Sequence, residues 1–167
     1  TLAYVAKRTD VFNVYIIPAC GGDETCLTSG FEHTDGPDYT SDSEWIWFNG
    51  QKQGRMQLWR MRADGSDLQQ MTDDDHQNWF PHPSPGGQKV LYVAYEPGVT
   101  GHPRFKEVEL RIFPASGGQP DILLEMFGGQ GTINVPCWAP DGNKFAFVRY
   151  DRPDELYLES CGDPEVD

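Results

Sequence analysis

The sequence predicts an all-β chain folded as a β-propeller of four-stranded antiparallel blades, and three observations predict it. An apolar strand motif recurs: Leu2-Ala3-Tyr4-Val5, Ile46-Trp47-Phe48, Val90-Leu91-Tyr92-Val93 and Phe145-Ala146-Phe147-Val148 begin at 2, 46, 90 and 145, at intervals of 44, 44 and 55. A repeat of that size is what one blade occupies. Each copy leads to a second strand and a glycine-bearing turn. With 18 Gly and 13 Pro and no window of sustained helical periodicity, the chain favours many short strands over helices. An all-β sandwich shares that composition but leaves the regular spacing unexplained.

The elements follow in a fixed order within each unit. A short first strand is expected at Pro37-Asp38-Tyr39, Pro81-His82-Pro83 and Pro136-Cys137-Trp138, and the recurring apolar motif is the second strand. The third reads Val14-Tyr15-Ile16-Ile17, Leu58-Trp59-Arg60-Met61, Leu110-Arg111-Ile112-Phe113 and a weaker Leu156-Tyr157-Leu158. Turns such as Ala63-Asp64-Gly65-Ser66 and Ala115-Ser116-Gly117-Gly118 follow, where glycine supplies the positive φ that a tight hairpin needs. A polar fourth strand returns, ending at Leu27-Thr28, Met71-Thr72 and Leu123-Leu124. The units therefore cover 1–28 (partial), 29–72, 73–124 and 125–167 (partial), about three and a half blades. Rings close with about four to eight. The chain is expected to be a mature form or a fragment, part of a larger six- or seven-bladed ring, with open blade edges available for self-association.

A net charge of -13 and a pI near 4.5 set up a field that repels phosphate backbones, and no basic stripe overrides it, so nucleic acid is excluded as a partner. No apolar run is long enough to cross a bilayer and no charged-then-apolar leader precedes Leu2, so membrane insertion is not expected. The four cysteines lack the paired spacing of a zinc knuckle. Cys20 and Cys26 flank a hairpin turn and either bridge it in an oxidising compartment or remain thiols, while Cys137 reads as core filling.

The cassettes Trp138-Ala139-Pro140-Asp141-Gly142, Asp38-Tyr39-Thr40-Ser41-Asp42-Ser43 and Ala63-Asp64-Gly65 resemble the repeats of TolB-like propellers, the periplasmic component of the Tol biopolymer-transport system and its relatives. The resemblance covers nearly the whole chain, with departures at Tyr39 and Pro83, where the repeat expects tryptophan, and at Gly86, where it expects aspartate. It implies periplasmic residence and a binding or scaffolding role toward a protein or glycan, with no cofactor. Similar repeats occur beside hydrolase domains in prolyl-oligopeptidase relatives and in oligogalacturonate lyases of propeller fold. The second reading it implies is accordingly a metal-dependent polysaccharide lyase, with His76, His82 and His102 as ligands or base and Ca or Mn as the cation.

Topology indicates which face to search. In a four-stranded meander the connections from second to third strand, and from fourth to the next first, emerge together, and here they carry the non-repeating segments 33–36, 49–55, 73–80, 96–106 and 127–134. The distance from Leu58 to Leu110 is 52 rather than 44 residues, and the surplus falls at 96–106. Binding sites form where such loops converge. The candidate ligand-binding residues are His76, Asn78, Trp79, His82, His102, Arg104, Gln130 and Asn134. Trp79 and Phe80 offer flat faces for a sugar ring or a peptide side chain, or else anchor the loop on the core. Asp73-Asp74-Asp75 has the hard oxygen atoms calcium favours but no EF-hand spacing, and reads as a solvated acidic loop. Neither a GxSxG elbow nor a serine or cysteine beside a histidine marks a nucleophile.

Overall fold

A computed structural model describes residues 1–152. Eleven strands form three sheets: β1 (Leu2–Ala6), β2 (Asn13–Ile17) and β3 (Thr25–Cys26); β4 (His33–Tyr39), β5 (Trp45–Lys52), β6 (Arg55–Arg62) and β7 (Gln69–Gln70); β8 (Gln77–Pro83), β9 (Lys89–Tyr95), β10 (Arg104–Pro114) and β11 (Asp121–Gly129). Each sheet is an antiparallel meander in chain order, which is the blade architecture the repeat implies. A bridge between Trp138 and Phe145 opens a fourth unit. The strand expected at 156–158 and the turn after it lie outside the described residues.

The repeat is legible in single hydrogen bonds. The turn after the first strand closes with the N–H groups of Thr40, Ser84 and Ala139 donating to the carbonyls of Trp45, Lys89 and Lys144. The turn after the third strand closes with Gly21, Gly65 and Gly117 donating to Pro18, Arg62 and Pro114. Packing explains why the second strands are continuous apolar runs rather than alternating ones. Ile46 and Phe48 join Val14, Phe31, Trp59 and Met61 between the first two sheets, whereas Trp47, between them in sequence, joins Leu58, Val90, Tyr92 and Phe113 between the second and third. Leu91, Val93 and Tyr95 point the other way, toward Ile133, Trp138 and Phe145. The second and third blades thus bury both faces, as parallel sheets covered on two sides do.

Two parts of the sequence reading are corrected. The first strands begin earlier than 37 and 81, so that 33–36 and 77–80 are strand and not connection. A bulge hides them: the ladder shifts register between Asp35 and Asp38 and between Trp79 and His82, and Gly36 (φ 58°) and Phe80 (φ 56°), 44 residues apart, take the same left-handed backbone. The fourth strand of the third sheet likewise continues past Leu124 to Gly129.

At Gly36 a Cβ would lie 2.8 Å from Asn49 Oδ1 and 3.1 Å from the Phe80 ring. Gly36→Ala adds that crowding to the left-handed penalty and is expected to lower stability by about 2 kcal/mol, read from the urea midpoint. An unchanged midpoint would show that the bulge tolerates a side chain.

Candidate functional site

The non-repeating connections converge on a cavity of about 670 Å³. Its wall is built by the start of β4, the β5–β6 turn, β8, the 98–103 segment between β9 and β10, and Gln130 just after β11. Four candidates from the sequence line it: Trp79, His102, Arg104 and Gln130. Met56, Gln77, Val99 and His33 line it too, and the first three carried no sequence signal beyond lying in or near the irregular segments.

Local interactions hold the 96–103 segment in place. The carbonyl of Pro103 accepts from the Tyr95 hydroxyl at 3.2 Å and from the Gln130 N–H at 3.2 Å. Burial pushes the Tyr95 phenol well up, so it stays a donor. Gly129, at φ 112°, lets the two chains touch, because a Cβ there would overlap the Pro103 carbonyl. The His102 ring then lies edge-on to Trp79 at 4.4 Å and to Phe80 at 5.0 Å, with Nδ1 against Gln130 Oε1. Trp79 and Phe80 are 3% and 4% exposed, so they anchor the segment, and the open flat faces read from the sequence are not presented.

Beneath His102, Oδ2 of Asp35 lies 3.8 Å from His102 Nε2 and 4.0 Å from His33 Nε2. Burial raises the Asp35 carboxyl, but the neighbouring His33, the Gly36 N–H that it accepts and the charge of His102 outweigh it and hold the group below its ordinary value. A carboxyl held down by folding contributes stability that is fully present above its unfolded value and lost as pH falls through the folded one. Asp35→Asn is therefore expected to flatten the acid limb of stability below about pH 4, measured as urea midpoints across an acidic series. Parallel limbs for the two proteins would refute the assignment.

The remaining candidates fall elsewhere. His82 is 4% exposed and lies between Asp38 Oδ2, 2.9 Å from Nδ1, and the carbonyl of Ile133. Asn78 is fully buried and donates to Gln57, Thr72 and Asp74. His76 accepts from the Arg111 guanidinium at 3.1 Å on a second, smaller cavity walled by Glu96, Glu107, Glu109 and Glu125. Asn134 Oδ1 caps the Gly131 N–H at 2.7 Å. His76, His82 and His102 thus occupy three separate settings, and among the described residues no group of three or more His, Cys, Asp or Glu side chains is disposed to hold a metal ion. Asp73 pairs with Arg55 at 2.9 Å, and Asp74 with Arg111 at 3.2 Å. Cys20 and Cys26 are exposed free thiols, and burial, with Asp38 second, pushes the Cys137 thiol up to about 11.

Comparison with known proteins places this architecture. An uncharacterized protein of Agrobacterium fabrum is 46% identical over 150 residues, 90% of this chain and 51% of that protein. A solved structure of a candidate TolB from Agrobacterium tumefaciens is 46% identical, with a TM-score of 0.87 over 90% of this chain and 55% of the other. The chain thus spans about half the length of these relatives. TolB from Acinetobacter baumannii (18% identity, TM-score 0.64, 84% of this chain and 32% of that one) and an oligogalacturonate lyase from Vibrio parahaemolyticus (11%, 0.56, 76% and 37%) share the fold. The model of the TolB beta propeller domain matches residues 1–105, and with the blade order and repeat described above this chain belongs to the TolB β-propeller family.

Proposed function

We propose that this chain supplies the binding face of a TolB-like propeller, taking a protein or glycan partner on the side where its non-repeating connections emerge, and that it works in the periplasm without a cofactor. The observation that carries this reading is the cavity over Trp79, His102, Arg104 and Gln130. It is the place where the chain stops repeating itself, and its volume lies within the few hundred to about a thousand Å³ typical of ligand pockets. Among the described residues no helix is long and apolar enough to cross a membrane.

The lyase reading gains no separate support, since its three histidines are dispersed and a likeness at 11% identity concerns the fold. The test is retention of partners from a periplasmic extract or a glycan array. Arg104→Glu is expected to weaken retention at least tenfold, while Lys144→Glu, on the opposite turn face, leaves it unchanged. Equal retention by both variants would remove the assignment to this face.

A further inference from the structure

The hydrogen-bonding capacity of the cavity wall is lopsided. Among the described residues, several of its side-chain acceptors are taken from within. Glu32, the one carboxylate of the wall among the described residues, receives the backbone N–H groups of Gln53 at 2.8 Å and Gly54 at 3.1 Å. Gln77 Oε1 receives the Met56 N–H at 2.8 Å, Gln130 Oε1 faces His102, and the Pro103 carbonyl has two donors. The donors are not matched in the same way. Among the described residues, Trp79 Nε1 is buried with no partner, and the side-chain NH₂ groups of Gln77 and Gln130 and the exposed Arg104 guanidinium donate to none. A buried donor left unmade is costly, and an incoming acceptor has the Gln77, Gln130 and Arg104 donors of the wall to meet.

Resting on the binding reading of this face, we infer that the cavity receives the C-terminal carboxylate of a polypeptide whose last side chain is apolar. Arg104 offers the planar, permanently charged fork that suits a carboxylate, and the free amide groups of Gln77 and Gln130 add neutral donors. Met56 and Val99 supply an apolar bed beside them. A sugar acid matches the charge less economically: its hydroxyl groups also donate, and the side-chain oxygens of Glu32, Gln77 and Gln130 already have partners. Chain-end carboxylates are a recurring recognition target, and here side-chain donors replace the usual backbone nest.

The experiment is calorimetric titration of the full chain with a short peptide ending in leucine, as the free acid and as the C-terminal amide, at low salt. The free acid is expected to bind at least tenfold more tightly than the amide, and Arg104→Met to lose about tenfold. Equal affinity for acid and amide, or full affinity in Arg104→Met, would overturn the inference, as would an oligouronide that binds through Arg104 where the peptide acid does not. If neither peptide binds while a partner is still retained in an Arg104-dependent way, the carboxylate inference falls and the binding face stands. If every partner binds regardless of Arg104, both fall.

Discussion

Arg111→Met is expected to destabilise the protein by about 3 kcal/mol, the lower end of the range for breaking a buried ion pair. The guanidinium is 8% exposed and donates to Glu109, to Asp74 Oδ2 at 3.2 Å and to His76 Nε2 at 3.1 Å. Burial alone lowers its pKa, and Glu109 and then Tyr92 turn the net shift upward. Methionine keeps most of the volume but leaves the Asp74 and Glu109 carboxylates without the cation they share. Asp74 and Glu109 retain 33% and 23% of their exposure, which is why the loss stays at the low end. Urea unfolding followed by tryptophan fluorescence reads the effect. Glu109→Gln in the same chain should recover about 1 kcal/mol or more, because the two sites share one network. A single-variant loss below about 1 kcal/mol would mean that water screens these groups as it does on an open surface.

The blade order was legible because the apolar runs of β5 and β9 are buried on both faces and therefore repeat without interruption: Ile46 and Trp47 serve two different cores, as do Leu91 and Tyr92. The first strands were not, since the bulge at Gly36 and Phe80 breaks their alternation and their sequences, His33-Thr34-Asp35 and Gln77-Asn78-Trp79, look like polar loop. Of the site, the face was readable from loop length alone. The roles were not. Asn78 and Trp79 share an irregular segment and lie next to each other, yet strand alternation sends one into a hydrogen-bond cluster with Gln57 and Thr72 and the other to the cavity. Met56 and Gln77 reach the cavity from β6 and β8, at positions that read as the edge of one connection and the middle of another. One signal was available and unused. Asp38 and His82 stand 44 residues apart, at the same place in successive units, so their inner strands had to set them side by side.

That pairing leads to the other large effect. His82→Ala is expected to cost about 3–5 kcal/mol, as the sum of an uncompensated Asp38 carboxylate, an unmade bond to the Ile133 carbonyl and a cavity where the ring stood. Both ring nitrogens face oxygen atoms, on Asp38 of the second sheet and Ile133 beyond the third, and the backbone carbonyl of His82 itself accepts from Trp138 Nε1 at 2.9 Å. One residue thus joins three successive units at their inner edge. If this is its role, His82→Ala lowers the unfolding midpoint but, in folded protein, leaves affinity for any ligand of the outer cavity within about twofold. His82→Gln, which can keep one of the two contacts, should lose less than alanine does. A variant that folds as stably as the parent but no longer binds would reverse the assignment and return His82 to the binding surface. The distinction matters for the repeat as well, because Cys137 occupies the corresponding place in the next unit and its thiol, held protonated by burial and by Asp38, is a packing group beside the same clamp.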